Sequence, residues 1–123
     1  MIVLDYQDRR PLYEQVEEKF RNLILNGALE SGSRMPSVRQ LAMELSINPN
    51  TIQRAYMQLE QEGLIYPVKG KGNYIADSEE VRKISIASYT KELQDLIRKG
   101  KAIGVEEEDL IYIIRECYKE EKQ

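Results

Sequence analysis

The chain has 123 residues, of which 41% are hydrophobic and 32% charged, and its formal net charge is −3. This length fits one domain, or a small domain with an appendage, and the composition is that of an ordinary globular protein. The sequence contains no histidine and a single cysteine, Cys117, which excludes an intramolecular disulfide framework and a Cys/His zinc site. No apolar run approaches a membrane span and the start of the chain has no signal-peptide pattern, so we expect a cytoplasmic protein that needs no metal or cofactor.

Apolar spacing predicts three helices in the first half of the chain. The first ends at Asn26-Gly27. The second begins after a cap at Ser37, and a tight turn at Ser46-Ile47 separates it from the third. The third begins at Asn48-Pro49 and ends at Gly63. Its predicted buried face consists of Ile52, Ala55, Tyr56 and Leu59.

A β-hairpin and two further helices are predicted after the third helix. Two short β-like runs, 64–68 and 73–76, flank the glycine-rich sequence KGKG of residues 69–72. Acidic residues after Ser78 favour the start of a long helix that ends at Gly104, and a last helix follows. Gly100 lies inside the apolar stripe of the long helix, where it marks either a close helix–helix approach or an earlier end.

These elements predict a mostly α fold with a small β-hairpin. Residues 1–76 are expected to form a winged helix-turn-helix, and residues 77–123 a two-helix C-terminal dimerisation region. The C-terminal helices have apolar faces but are too small to form a core alone, so we expect them to pair with a second subunit. The alternative is that they fold back on the winged domain. The candidate dimerisation residues are Tyr89, Leu93, Leu96, Ile97, Leu110, Ile111, Ile114, Cys117 and Tyr118.

Two features of this apolar face have more than one interpretation. Cys117 is expected to be a packed thiol of the core or the interface, and a redox sensor is the alternative. Tyr89, Tyr112 and Tyr118 are expected to be packing residues, and the alternative is that they hold a small-molecule effector of unknown identity.

The third helix carries the pattern expected of a helix that reads DNA. Its outward N-terminal turn is polar and free of acidic residues, with Asn50 and Arg54 facing directly outward. In a helix-turn-helix this turn reaches the base edges, where Asn and Gln pair with adenine and Arg with guanine. Residues 34–76 carry five basic and three acidic side chains, so the prediction depends on where the charges lie rather than on their sum. The candidate DNA contacts are Arg34, Ser37, Arg39, Asn48, Asn50, Thr51, Gln53, Arg54, Lys69, Gly70 and Lys71.

This part of the chain resembles the DNA-binding domain of the GntR family of bacterial transcription regulators. The resemblance covers about residues 9–76. The matching residues are Gly27, Gly32, Arg34, Pro36-Ser37-Val38-Arg39, Leu41-Ala42, Asn50-Thr51, Arg54-Ala55-Tyr56, Leu59-Glu60, Glu62-Gly63-Leu64 and Gly70-Lys71-Gly72, with Pro11-Leu12-Tyr13 and Gln15 before them.

The resemblance implies a winged helix-turn-helix repressor that binds an inverted-repeat, double-stranded DNA operator as a homodimer. By motif match, Arg39 resembles the arginine that enters the groove, Thr51 the recognition-helix threonine, and Gly70 the wing glycine. Family members often carry a basic residue where this chain has Pro49 or Gln53, so the base preference does not transfer at these positions. The short two-helix tail is similar to the YtrA subfamily, whose members often sit with ABC-transporter genes.

The sequence also bears on two functional classes other than a DNA-binding regulator. A winged-helix module that recruits a protein and does not bind specific DNA is the alternative, and the acidic tail is its best support. An enzyme is not expected, since the sequence offers no histidine, no adequate nucleophile constellation and no phosphate-binding loop.

Overall fold

A computed structural model describes residues 2–120 of the chain, which form five helices and one two-stranded antiparallel sheet. The elements are α1 (Leu12–Leu25), α2 (Val38–Leu45), α3 (Pro49–Gln61), β1 (Ile65–Val68), β2 (Gly72–Ile75), α4 (Ser78–Ala102) and α5 (Glu107–Glu120). This order of elements confirms the predicted mostly α fold with a small hairpin, and every boundary falls within a few residues of its predicted position. Among the described helices, none is both long and apolar enough to cross a bilayer.

Local sequence sets the ends of the helices. The Ser37 Oγ accepts a hydrogen bond from the Gln40 amide at 3.0 Å, and the Asn48 Oδ1 accepts one from the Asn50 amide at 2.8 Å, so both residues cap helix N-termini. At the C-terminus of α3, the amides of Gly63 and Leu64 bond back to Glu60 and Leu59, a Schellman motif with Gly63 at φ +81°. The same bonding pattern ends α2 and α4.

The core lies between α1, α2, α3 and the inner face of the hairpin. Phe20 of α1 meets Tyr56 of α3 edge to face, with ring centroids 5.8 Å apart. The predicted buried face of α3 is confirmed, because all four of its residues are buried. The largest fully buried side chains are Tyr56, Phe20, Leu41, Ile52, Leu59, Leu64, Ile65, Ile75 and Val16.

The segment before α1 is attached to that helix by one buried polar side chain. The Gln15 Oε1 accepts a hydrogen bond from the Asp5 amide at 2.9 Å, and its Nε2 donates to the Asp5 carbonyl at 3.0 Å. Gln15 is only 2% exposed, and Ile2 at the start of the segment is also buried. Residues 2–10 contain no helix or strand, yet they have defined partners on α1.

The chain divides into two compact units, Met1–Ile86 and Ala87–Gln123. The division falls inside α4. The predicted domain boundary, between residues 76 and 77, lies just before the start of that helix. Within the second unit, α4 continues through Gly100, so the glycine does not end the helix early. A Cβ placed on Gly100 would lie 3.4 Å from the Cβ of Val105, so the turn before α5 passes close to this glycine, at van der Waals distance.

Candidate nucleic-acid interface

The turn between α2 and α3 determines where α3 begins. Ser46 adopts the left-handed region at φ 55°, and the Ile47 amide bonds to the Ala42 carbonyl at 3.1 Å. Asn48 then caps α3, and Pro49 occupies its first turn. Two short helices are thereby joined by a tight turn, which is the geometry of a helix-turn-helix.

The outward side of α3 is polar at its N-terminal end. Asn50 and Gln53 are exposed, Thr51 is half-buried, and the first turn contains no acidic residue. The Asn48 side chain is also exposed, but its amide oxygen is engaged by the Asn50 amide, so its NH₂ group remains for an external acceptor. This end of α3 therefore offers neutral donors and acceptors suited to base edges.

Arg54 is exposed, and its side chain also has a partner on α1 that the helical spacing did not predict. Its guanidinium lies over the ring of Tyr13 of α1, 3.8 Å from the ring centroid. The two residues line a groove of about 420 Å³ between α1 and α3. The other residues that line this groove are Arg10, Glu14, Glu17, Glu18, Arg21 and Gln58.

The loop before α2 pairs with the β1–β2 hairpin, which is the wing of the winged helix-turn-helix. This pairing places the Arg34 side chain against the wing. Backbone hydrogen bonds join Met35 to Asn73 at 2.8 Å and Ile75 to Ser33 at 2.9 Å, so the loop runs as a short third edge beside β2. A Cβ on Gly72 would come within 3.3 Å of the Arg34 Nε. Gly72 therefore allows the exposed Arg34 side chain to lie flat against the hairpin near its tip.

The tip of the hairpin and the N-terminal half of α2 supply the remaining predicted contacts. Lys69, Gly70 and Lys71 are all exposed, and the turn is closed by a bond from the Lys71 amide to the Val68 carbonyl at 2.9 Å. Arg39 is exposed on α2, two residues after the cap residue Ser37. These residues present cations and bare backbone of the kind that contacts phosphates.

Sequence reasoning missed a pair of tyrosines on the outer face of the wing. Tyr66 and Tyr74 are directly paired across the two strands, and their rings stack with centroids 6.1 Å apart. Tyr66 is 45% exposed. Tyr66 lies three residues before the KGKG sequence and Tyr74 two residues after it, so their pairing follows from the observed register of the hairpin and not from the spacing alone.

Tyr56 of α3 stabilises the start of α2 through a hydrogen bond. Its phenol donates a hydrogen bond to the Pro36 carbonyl at 2.8 Å, next to the cap residue Ser37. Burial, with a smaller contribution from the negative charge of Glu44, raises the pKa of the Tyr56 phenol above its ordinary value. The phenol therefore stays protonated and remains a donor.

The predicted dimerisation residues lie on a surface that this chain leaves open. Leu110 is half-buried and the other eight are exposed, with Tyr89 at 64% and Leu96 at 66%. Cys117 is exposed as well, so it is not packed into a core of its own chain. The second unit thus carries apolar side chains that its own two helices do not cover.

The first compact unit, Met1–Ile86, is called the winged unit below, and it has the arrangement of a known class of regulators. The profile of the bacterial regulatory proteins of the gntR family matches residues 12–75, from the first residue of α1 to the last of β2. This chain belongs to the GntR family. The HTH-type transcriptional repressor YtrA of Bacillus subtilis is 36% identical over 118 residues, which cover 94% of this chain and 91% of that protein.

Two solved structures extend the comparison to three dimensions. A GntR family transcriptional regulator from Listeria monocytogenes aligns with a TM-score of 0.74 and 32% identity, over 92% of this chain and 98% of that one. The DNA-binding domain of AraR, solved in complex with operator ORR3, aligns with a TM-score of 0.53 and 28% identity, over 62% of this chain and 92% of that one. This GntR protein is therefore a DNA-binding transcriptional regulator.

Proposed function

We propose that this GntR protein is a homodimeric repressor that acts in the cytoplasm on an inverted-repeat operator. The observation that carries the proposal is the exposed, acid-free N-terminal turn of α3, and exposed cations on α2 and at the tip of the hairpin support it. The repressor activity is proposed from the similarity to YtrA, which is named a repressor. Regulation of transporter genes and a small-molecule effector stay predictions.

In the proposed complex, α3 enters the major groove with its N-terminal turn toward the bases. Asn50, Thr51 and Gln53 would contact base edges, and Arg39 would enter the groove from α2. Arg34 and the wing tip would contact the backbone or the adjacent minor groove. Residues 34–76 carry five basic and three acidic side chains, and this small excess supports only weak non-specific attraction, so most of the affinity must come from placed contacts and from a second half-site.

The dimer is proposed from the uncovered surface of the second unit. Leu93 and Ile97 lie one turn apart on α4, and each is 37% exposed. Covering such side chains with a partner stabilises an assembly by removing apolar area from water, at roughly 25 cal/mol per Å². A two-fold dimer would also present α3 twice, which matches the symmetry of an inverted repeat.

Substitutions in the helix-turn-helix test the proposed DNA contacts. With DNA that the wild-type protein selects from a random library, Arg39→Ala and Thr51→Ala should each abolish preference for the selected sequence and leave the circular dichroism spectrum unchanged. Lys71→Ala should weaken binding to all sequences alike, because phosphate contacts carry little sequence information. Arg98→Ala, which removes an exposed arginine from the tail, is the matched control and should bind as wild type.

These DNA-binding measurements separate the repressor from the alternative. Unchanged affinity of both Arg39→Ala and Thr51→Ala would show that the proposed docking is wrong. Failure of the wild-type protein to enrich any sequence would instead favour the protein-recruiting module.

A charged substitution tests the dimer. Leu93→Glu should convert the protein to a monomer in sedimentation equilibrium and weaken binding to an inverted repeat far more than to a single half-site. Lys91→Gln is the control, because it changes the net charge by the same amount on the opposite side of α4. A dimer that persisted in Leu93→Glu would place the interface elsewhere.

A further inference from the structure

Three contacts along α1 hold the recognition helix α3. Near the N-terminal half of α3, Arg54 lies over Tyr13 at 3.8 Å. In the middle, Tyr56 meets Phe20 edge to face. At the C-terminal end, Glu62 accepts hydrogen bonds from Arg21 at 2.7 and 3.1 Å. Arg54 is thus the first of a series of side chains that join the two helices.

The charges around Arg54 differ from those of a phosphate-binding surface. The groove that it lines with Tyr13 contains the three carboxylates of Glu14, Glu17 and Glu18, and the only other charged groups of the described chain that line it are the guanidiniums of Arg10 and Arg21, so its lining charges balance. Glu17 is in ion-pair contact with Arg21, and Glu18 with Arg10, so these acids are anchored beside the groove. A DNA phosphate brought to Arg54 from this side would meet a groove without net positive charge and would have to approach ion-paired carboxylates, so the groove offers it no net attraction.

Arg54 lies between the exposed strip of α3 and the α1 groove, and its own side chain is exposed. Arg54 and Gln58 lie one turn apart and both line the α1 groove. Asn50, Gln53 and Met57 follow each other at spacings of three and four residues on the adjacent strip, and all three are exposed. Arg54 shares the helical spacing of this strip, but its guanidinium is held over Tyr13 on the α1 side, whereas no such ring contact involves Asn50 or Gln53 in the described part of the chain.

We propose that Arg54 is a positioning residue that holds α3 on α1 through Tyr13, rather than a direct DNA contact. The inference rests on the DNA-binding function and does not depend on the dimer. The flat guanidinium lies against the aromatic face and keeps the N-terminal half of α3 at a fixed angle to α1. Base and phosphate contacts then come from Asn50, Gln53, Arg39 and the wing.

A double-mutant cycle on the full chain tests this assignment. Arg54→Gln and Tyr13→Leu should each weaken binding to the wild-type-selected DNA by roughly three- to tenfold, the effect expected of a half-exposed cation–π contact. The double variant should bind no more weakly than either single variant, because both remove the same contact. Tyr13→Phe keeps the aromatic face and should bind as wild type.

The salt dependence of binding distinguishes positioning from contact. Arg54→Gln should keep the wild-type slope of log affinity against log salt, whereas Lys71→Gln, the phosphate-contact control, should lower that slope by about one. A slope lowered in Arg54→Gln, or effects of Arg54→Gln and Tyr13→Leu that add, would overturn the inference. If Tyr13→Leu failed to fold, the slope of Arg54→Gln would still decide between the two roles.

Unfolding of the free protein tests the same contact without DNA. Arg54→Gln and Tyr13→Leu should lower the melting temperature by less in combination than the sum of their separate effects. Independent effects would overturn the inference even if the wild-type protein selected no DNA sequence. That last result would contradict the proposed function and not the contact itself.

Discussion

The winged unit buries its apolar residues, whereas the second unit, Ala87–Gln123, here called the tail, leaves most of them exposed. Every buried apolar side chain in the described chain lies at or before Val81, whereas α5 buries none of its own. Sixteen of the described residues form this core, and they come from every helix and strand of the winged unit. The difference teaches that the winged unit can obtain its stability from its own packing, whereas the tail leaves most of its apolar side chains in contact with solvent.

Replacing one leucine in each unit should show this difference most strongly. Leu59→Ala removes a side chain with no exposed area and should lower the free energy of unfolding by about 2–5 kcal/mol. Leu96→Ala removes one that is 66% exposed, and in dilute monomer the change should stay within about 0.5 kcal/mol. Urea denaturation measures both, and equal losses in the two variants would contradict the comparison.

Substituting a glycine at a helix end in each unit should have an effect of intermediate size. Gly63→Ala and Gly104→Ala each force an alanine into the left-handed region, at φ +81° and +95°, which costs about 1–2 kcal/mol. The first should lower the stability of the winged unit. The second should leave winged-unit unfolding unchanged and reduce self-association, because it affects only the end of α4. Differential scanning calorimetry with sedimentation analysis separates the two effects.

Removing one tyrosine hydroxyl group from each unit should have the smallest effect of these three pairs of substitutions. Tyr56→Phe loses the hydrogen bond to the Pro36 carbonyl and should lower the free energy of unfolding by about 1 kcal/mol. Tyr112→Phe, at a residue that is 65% exposed in the tail, should leave it unchanged. The check is guanidinium denaturation of both variants, and no loss in Tyr56→Phe would show that the bond adds nothing to the support of α2.

The residues that the sequence predicted well are those whose role depends on neighbours along the chain. Ser37, Asn48 and Gly63 begin or end helices through bonds within a few residues, so spacing alone identified them. The α3 core face was predictable for the same reason. Arg54 was not, because a helical wheel gives its direction but does not include Tyr13, which is 41 residues earlier and is brought to it by the packing of α1.

The candidate DNA contacts were predictable as a set but not in their roles. Arg34 required a partner in space, since the backbone pairing of its loop with β2 places it against Gly72. The tyrosine pair on the wing became visible only when the register of the hairpin was known. The roles of these residues depend on long-range packing, which local patterns do not encode.

The pair of hydrogen bonds between Gln15 and Asp5 has a consequence for the kinetics of solvent access. The Asp5 amide belongs to no helix or strand, yet its acceptor is a side chain that is almost fully buried. Its proton should therefore exchange with deuterium on the timescale of α1 opening and not at the rate of a free terminus. Residues 2–10 would then belong to the same cooperative folding unit as the helix that supports the DNA-reading surface.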